Sequence, residues 1–172
     1  NPLLFAAGAR RFGMFGTSGI RGPVGETVTA DLALSVGRAL GVDSDRVVVG
    51  RDPRESGELL VDALAAGLRE SGTDVVELGA AATPTVARAV AGADADAGVA
   101  VTASHNPAPD NGLKLWQPSG QAFDDPMQVE ITERIESGET DLAAWDGLGT
   151  RERGDYRQRH VEALVESVDI EN

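Results

Sequence analysis

The chain has 172 residues and a formal net charge of −13, from 28 acidic and 15 basic side chains. This acid excess disfavours nonspecific binding to nucleic acid or to an anionic membrane, because both carry negative charge. The absence of cysteine excludes disulfides and thiolate metal sites. With no stretch long or apolar enough to span a bilayer, we expect a cytoplasmic protein.

Lysine is almost absent from the sequence. Lys114 is the single lysine, so 15 − 1 = 14 of the basic residues are arginine. Self-repulsion of the acidic charge destabilises a compact state unless salt screens it. The composition therefore favours a protein adapted to high salt, and a merely acidic protein is the alternative.

In chain order, residues 1–13 are interpreted as an N-terminal extension, residues 14–138 as one α/β domain, and residues 139–172 as a linker with a C-terminal helix. Arg10-Arg11 is not a twin-arginine signal, because glycine-rich sequence follows the pair in place of an apolar segment.

The first two thirds of the chain alternate between helical and strand patterns. Apolar periodicity and end signals predict helices over 29–41, 56–72 and 83–92, with Thr29, Ser56 and Thr83 as their N-caps. Short apolar runs predict strands over 46–52, 73–79 and 97–103. This alternation indicates crossover connections and a mainly parallel sheet with helices on both faces.

The pattern changes after the third strand. Asp110-Asn111-Gly112 predicts a tight turn, and residues 113–116 predict a short antiparallel strand at one end of the sheet. Leu113 and Leu115 would face one way, and Lys114 and Trp116 the other.

The remaining sequence predicts one more packed helix, a loop and a final helix. A capped helix is expected over 125–138, followed by a polar loop over 138–154. Val161, Leu164, Val165 and Val168 then form an apolar helical stripe. That stripe either leads toward a second domain or folds back on the first.

Ser104 follows the third predicted strand, at the carboxyl edge where α/β proteins bind ligands. A serine nucleophile needs a base, but the side chain of the adjacent His105 is expected to diverge, and no Gly-x-Ser-x-Gly elbow is present. A Ser-His-Asp hydrolase therefore fits poorly. Taken alone, residues 104–107 also fit an ordinary surface turn.

Lys114 is predicted to return close to Ser104. Lysine can lose its proton in a suitable environment and arginine cannot, which favours a proton-transfer role for this single lysine. An ordinary surface lysine is the alternative.

Two other segments combine glycine or a turn with basic groups. "FGTSGIRG" (15–22) places Thr17, Ser18 and Arg21 among glycines that let backbone N–H groups approach an anion, a weak phosphate signal by itself. "VGRDPRESGE" (49–58) places arginines at a strand-to-helix turn, where ion pairs that fix the turn are at least as good an interpretation as ligand binding. Asp94 and Asp96 lack a third metal ligand and are interpreted as solvated acids.

Together, "FGTSGIRG", "VVVGRDPR", "TASHNP" and "NGLKL" resemble the α-D-phosphohexomutase family (phosphoglucomutases, phosphomannomutases and phosphoglucosamine mutases) in order and spacing, over roughly residues 14–137. The resemblance implies a three-layer α/β/α domain with a mixed, mainly parallel sheet. It implies that Ser104 carries a phosphoryl group, which it donates to a hexose phosphate, so that a bisphosphorylated sugar interconverts the 1- and 6-phosphates.

The resemblance also implies roles for the neighbouring residues. Lys114 would be the general acid/base, with Arg21 and His105 in the phosphoryl-transfer site. Thr17, Ser18 and Asn106 would bind phosphate. Mg²⁺ would be bound through the phosphate of Ser104, with its main ligands in another domain, and a bisphosphorylated hexose would be the activator.

The family has four domains, and the chain resembles the first. The aspartate loop for Mg²⁺, the sugar-reading loop and the distal phosphate site belong to the other three. The isolated chain is therefore expected to be inactive and to pack against a second domain or another copy. Phosphomannomutase or phosphoglucomutase is the preferred activity of the whole enzyme. Phosphoglucosamine mutase, or a non-catalytic or vestigial sugar-phosphate-binding module, is the alternative.

Overall fold

The computed structural model describes residues 15–16 and 19–168. The predicted extension (1–13) and the candidate phosphate-binding residues Thr17 and Ser18 lie outside the described residues. The strands are β1 (Ile20–Pro23), β2 (Arg46–Arg51), β3 (Asp74–Ala80), β4 (Ala97–Val101), β5 (Asp110–Trp116) and β6 (Arg151–Arg153). The helices are α1 (Ala30–Gly41), α2 (Gly57–Glu70), α3 (Thr83–Gly92), α4 (Asp125–Ser137) and α5 (Arg157–Glu166).

The strands form one sheet in the order β1-β5-β4-β2-β3-β6. β4, β2, β3 and β6 run parallel to one another, and β5 runs antiparallel to both β4 and β1. The predicted mixed, mainly parallel sheet is confirmed. β5 lies one position in from the edge, whereas the sequence predicts it at the end of the sheet. The edge strand is β1, for which the glycine-rich sequence predicts no strand, and it pairs with the first half of β5.

Strand alternation divides the core between the two faces of the sheet. Val47 and Val49 of β2 pack with α1, α2 and Ile131 of α4, while Val48 packs with α3 on the other face. The predicted three-layer α/β/α arrangement is confirmed. Because α3 packs against β2 and β4, the β1 and β5 end of its face keeps half-exposed side chains, including Arg21 and Lys114.

The predicted turn at Asp110-Asn111-Gly112 is wrong, because these residues begin β5. The side chain of Asn111 is fully buried and donates from Nδ2 to Oγ of Ser56 at 2.9 Å. Ser56 accordingly makes no side-chain cap to α2, whereas Thr29 caps α1 as predicted. The predicted cap at Thr83 is wrong, because Thr83 is the first residue of α3 and Ala82 precedes it as the N-cap. The chain reverses earlier, where Asn106 N–H donates to the carbonyl of Ala103 and Asp110 N–H to the carbonyl of Pro107.

Gly112 serves close packing between three strands and not a turn. A Cβ at Gly112 would lie 2.8 Å from the carbonyl oxygen of Thr102 and 2.9 Å from Cγ of Arg21, and would also collide with the carbonyl oxygen of Ile20. Contacts this short leave no room for any side chain.

The segment after α4 is fixed to the domain by backbone contacts. Ala143 and Gly149 donate their N–H groups to the carbonyls of Glu70 and Arg69 at the end of α2. Thr150 donates from both its N–H and its hydroxyl to the Asp74 carboxylate, each at 2.7 Å. These two bonds lower the pKa of Asp74. The predicted loop (138–154) is wrong at its end, because residues 151–153 form β6, which pairs with β3 and extends the sheet.

The final helix contacts the domain through its first turn. His160 Nδ1 lies 2.8 Å from the hydroxyl of the buried Thr85, and the ring of Tyr156 packs on Gly92 of α3. The stripe of Val161, Leu164, Val165 and Val168 is 50–62% exposed. The start of this helix therefore folds back on the domain, while its apolar stripe stays uncovered in the described structure, and its approach to a second domain stays a prediction. No helix within residues 15–16 and 19–168 has the length and hydrophobicity needed to cross a bilayer.

Candidate active site

Ser104 lies exposed at the carboxyl end of β4, as predicted. Its backbone adopts φ = 57°, a left-handed conformation that residues other than glycine rarely adopt. Its N–H donates to Oγ1 of Thr102 at 2.9 Å. Strain of this kind costs on the order of 1–3 kcal/mol and persists only where surrounding contacts impose it.

Those contacts begin at Asp52, just after the adjacent parallel strand β2. The Asp52 carboxylate accepts from the hydroxyl of Thr102 at 2.7 Å. It also accepts from the backbone N–H of Arg54 at 3.0 Å and from Nε of Arg54 at 3.1 Å. The loops that follow β2 and β4 are therefore joined by one charged, hydrogen-bonded network.

Arg54 extends this network along the whole segment 102–110, which we call the Ser104 loop. Its Nη1 donates to the carbonyls of Pro107 and Asp110, both at 2.8 Å. Its Nη2 donates to the carbonyls of Ser104 at 3.0 Å and Asn106 at 2.8 Å. Of the two interpretations of residues 49–58, the structure supports groups that fix the turn.

His105 and Asn106 lie beside Ser104. Nδ1 of His105 is 3.4 Å from Oγ of Ser104, a long contact that nevertheless shows the two side chains do not diverge as expected. Asn106 donates from Nδ2 to Oδ2 of Asp110 at 2.9 Å, which fixes the loop. Its predicted contact with phosphate is not tested by this arrangement.

Arg21 and Lys114 form a second group, on the α3 side of β1 and β5. Arg21 pairs with Gly112 in the β1–β5 register, and its Nε is buried without a hydrogen-bond partner among the described residues. Nζ of Lys114 lies 4.6 Å from the centroid of the Trp116 ring, a cation–π contact. Leu113 and Leu115 are buried on the opposite face, as predicted.

The two groups line different hollows. Ser104 and Asn106 line an open cleft of about 1260 Å³ above the carboxyl ends of β2, β3 and β4. Lys114 lines a much smaller hollow with Phe15, Gly19 and Phe123. The register pairs Lys114 with Ala100, four residues before Ser104. The predicted approach of Lys114 to Ser104 is therefore not a direct contact among the described residues and stays a prediction.

Sequence reasoning missed Thr102 and undervalued Arg54. The usable signal was the adjacency of parallel strands, because the loops after β2 and β4 must meet at one sheet edge. Asp96 is exposed, as expected for a solvated acid, but its Oδ2 also accepts the N–H groups of Asp45 and Arg46 and so fixes the entry to β2. Among residues 15–16 and 19–168, no group of three or more His, Asp or Glu side chains could hold a metal ion.

The structure is thus an α/β/α domain that presents a strained, exposed serine at the carboxyl end of a parallel strand and a lysine on the neighbouring antiparallel strand. Residues 13–141 match the family model described as phosphoglucomutase/phosphomannomutase, alpha/beta/alpha domain I. The chain belongs to this family.

Similar proteins support the assignment. Relatives from Thermococcus gammatolerans and Methanococcoides burtonii, each named "Probable phosphoglucosamine mutase", are 44% and 46% identical over 91% and 90% of this chain. A crystal structure of a phosphoglucomutase/phosphomannomutase family protein from Burkholderia thailandensis matches 92% of this chain with a TM-score of 0.76 and 35% identity. The chain spans 35–36% of the length of these three proteins.

Proposed function

We propose that this chain is the phosphoserine-bearing domain of a phosphohexomutase, which interconverts hexose 1-phosphate and hexose 6-phosphate. The observation that carries the proposal is the exposed Ser104, held at φ = 57° by the network behind it. A serine that only closed a surface turn would need no such support. Positioning and charge neutralisation supply most of the catalysis in phosphoryl transfer, and this loop supplies positioning.

The proposed reaction begins with phosphorylated Ser104. A hydroxyl of the hexose monophosphate attacks phosphorus, the bond between phosphorus and Oγ breaks, and the hydroxyl proton passes to Lys114. Lys114, which enters the step as the neutral amine, passes that proton on to the serine oxygen as the bisphosphate forms. After the bisphosphate turns over in the site, its other phosphoryl group returns to Ser104, which releases the isomeric monophosphate.

The proposed roles of the other residues follow from charge and position. Arg21 and His105 neutralise the transferring phosphoryl group, and Asn106 donates to it after giving up its bond to Asp110. Thr17 and Ser18 would add donors from the adjacent glycine-rich segment. Lys114 must accept a proton and then release it, which a lysine can do and an arginine cannot.

Mg²⁺ is the cofactor expected for the family. A phosphate on Ser104 would supply one ligand, but the described residues provide no carboxylate or histidine cluster to complete a site. The described side chains therefore do not form a complete Mg²⁺ site, and the proposed reaction steps do not involve Mg²⁺.

The identity of the hexose is open between two candidates. A phosphomannomutase or phosphoglucomutase is favoured by the name of the similar solved structure, and a phosphoglucosamine mutase by the names of the relatives. Turnover of mannose 1-phosphate, glucose 1-phosphate and glucosamine 6-phosphate, measured in parallel on a protein that carries this chain with the remaining domains, decides between them.

The partner in this proposal is the rest of the enzyme. The exposed stripe on α5 and the small fraction of the relatives' length that the chain spans both support packing against a second domain. Hexose phosphates are the proposed ligands, and an isolated chain would lack turnover. A vestigial module would retain the fold but gain no phosphate on Ser104.

The charge supports a salt-adapted enzyme, and a cytoplasmic location remains part of the proposal. With a net charge of −13, the folded chain should gain stability as KCl rises from low to molar concentration. A flat or falling melting temperature across that range would remove this part of the proposal.

Phosphate mapping tests the central proposal. A protein that carries this chain with the remaining domains is treated with glucose or mannose bisphosphate, and phosphate is located by mass spectrometry. We expect it on Ser104, and we expect Ser104→Ala to lose both the label and turnover. Phosphate found only on another residue, or full activity in Ser104→Ala, would show the proposal to be wrong.

A further inference from the structure

We propose that Arg54 is the positioning residue that holds Ser104 in its reactive conformation, an inference that rests on the proposed role of Ser104 as phosphoryl carrier. The Arg54 side chain is only 14% exposed, and it lines the same cleft as Ser104. Its bonds to the loop go to backbone carbonyls and not to the serine hydroxyl, which remains accessible.

A count of donors separates positioning from substrate binding. A guanidinium has five N–H donors. In Arg54, Nε donates to Asp52, Nη1 donates to two carbonyls, and Nη2 donates to two more. All five have acceptors within this chain, so none is left for the phosphate of a bound sugar.

The four carbonyl acceptors explain why a cation is needed here. The carbonyl oxygens of Ser104, Asn106, Pro107 and Asp110 all converge on one group. Without a shared donor, these partial negative charges would repel one another and the backbone at φ = 57° would relax. The planar guanidinium of arginine, with five N–H donors, can donate to four carbonyls and a carboxylate at once, whereas a lysine has only three donors.

Asp52 orients the guanidinium of Arg54 toward the Ser104 loop. Its carboxylate accepts from Nε and the backbone N–H of Arg54, and it also accepts from Thr102, whose hydroxyl in turn receives the N–H of Ser104. Asp52→Asn keeps the size of the side chain but places an amide N–H₂ or a single oxygen against these donors. It should therefore loosen the loop in the same way as a change at Arg54.

Arg134 provides a matched control. Its side chain is 12% exposed, and its guanidinium likewise joins separate elements, by donating to the carbonyl of Ala39 and to the carboxylates of Asp43 and Glu130. It joins α4 to the end of α1 and makes no hydrogen bond to the Ser104 loop. Arg134→Lys therefore shows how much the loss of a nearly buried guanidinium elsewhere in the domain affects the protein, without touching the Ser104 loop.

The first measurement is amide hydrogen exchange in the 172-residue chain. In Arg54→Lys and in Asp52→Asn we expect the amides of Ser104, Asn106 and Asp110 to exchange at least about tenfold faster, the factor that corresponds to losing one charged hydrogen bond. Amides in β2 and α1 should keep their wild-type rates. Arg134→Lys should leave loop exchange unchanged. Equal loop exchange in wild type and both test variants would overturn the inference.

The second measurement is turnover in a protein that carries this chain with the remaining domains. We expect Arg54→Lys to lower kcat at least about tenfold with little change in the KM for hexose phosphate, because no Arg54 donor reaches substrate. A raised KM at unchanged kcat would assign Arg54 to substrate binding and overturn the inference. Unchanged kcat despite faster loop exchange would overturn it as well. If wild type never acquires phosphate on Ser104, the proposed function fails, while hydrogen exchange still decides whether Arg54 holds the loop.

Discussion

Two irregular segments of this domain are held in place by different means. The Ser104 loop is fixed by side chains, since Arg54 donates to its backbone carbonyls and Asp52 accepts from the hydroxyl of Thr102. Residues 139–150, which we call the linker, are fixed mainly by backbone hydrogen bonds to the end of α2 and by the Asp74 carboxylate. The loop exposes a polar group, Ser104, whereas the linker exposes Trp145, which is 87% accessible.

The way in which each segment is held in place matches the role that we expect for it. The buried side-chain network allows a strained conformation at Ser104, which suits a residue that must meet a reacting phosphoryl group. The linker carries no non-glycine residue with positive φ among the described residues and presents apolar side chains outward. We therefore expect chemistry to depend on the loop and its neighbours, and docking to depend on the linker and α5.

The largest expected effect is on chemistry, at Lys114. If Lys114 exchanges a proton with the sugar hydroxyl, Lys114→Arg in a protein with the remaining domains should lower turnover by about 10²–10⁴-fold, because arginine does not release its proton. Substrate binding and the phosphate content of Ser104 should change far less. Parallel assays of turnover and binding separate the two roles, and near-normal turnover would show that positive charge alone suffices.

The next effect is on folding, and it compares a glycine beside the Ser104 loop with one in the linker. Gly112→Ala should cost about 3 kcal/mol, because the new Cβ would collide with the backbone of β1 and with the carbonyl of Thr102 in the Ser104 loop. Gly149→Ala should cost about 1–2 kcal/mol, because its Cβ would collide with the backbone of Thr73 but can be relieved by detaching the linker and β6.

Gly147 is the matched control within the linker. A Cβ there would meet Cβ of Ala143 at an ordinary 3.5 Å, so Gly147→Ala should leave stability within about 0.5 kcal/mol. Denaturant unfolding of all three variants gives the free energies. Hydrogen exchange then shows whether Gly149→Ala opens only β6. A global loss in Gly149→Ala equal to that in Gly112→Ala would contradict the separation between the two regions.

A smaller effect tests the strain at Ser104. Glycine adopts positive φ without penalty, so Ser104→Gly should be more stable than Ser104→Ala by about 1 kcal/mol. Asp94, at φ = 52° in a turn away from the loop, provides the comparison through Asp94→Gly and Asp94→Ala. Thermal unfolding measures both pairs. If Ser104→Ala is as stable as Ser104→Gly, while Asp94→Ala is less stable than Asp94→Gly, the backbone at Ser104 is not strained in solution.

The smallest effect concerns pH and the linker. Hydrogen bonds from Thr150 lower the pKa of Asp74 in the folded chain, so their stabilisation is present above the ordinary aspartate pKa, about 4, and is lost as pH falls through the lowered folded value. Because Asp74 is largely solvated, we expect the loss to stay below about 1 kcal/mol.

The measurement is the NMR shift of the Thr150 amide between pH 6 and pH 2. In wild type it should titrate with a midpoint below that of an ordinary aspartate, and in Asp74→Asn this transition should vanish. A midpoint at or above the ordinary aspartate value would contradict the assigned bonds.

The sequence predicted the layers because valine-rich strands and capped helices alternate strongly along residues 29–103. It predicted the position of Ser104 because a buried strand ended immediately before it. The turn prediction at Asn111-Gly112 failed because these residues serve tertiary contacts and not a turn. The Asn111 amide bonds to Ser56, and Gly112 fits where strands pack too closely for a side chain. β1 was missed because its pairing with β5 is long-range, and Arg54 was undervalued because its four carbonyl partners lie about 50 residues later in the chain.

The contact between Lys114 and Trp116 gives this domain a built-in optical reporter. The chain has two tryptophans, one beneath the Lys114 ammonium and one at the exposed tip of the linker. Emission from Trp145 should match that of indole in water and be quenched freely by iodide. Emission from Trp116 should be shifted to shorter wavelength and should respond when a ligand displaces the ammonium. With Trp145→Phe, ligand binding near Lys114 could therefore be followed by fluorescence without any added dye.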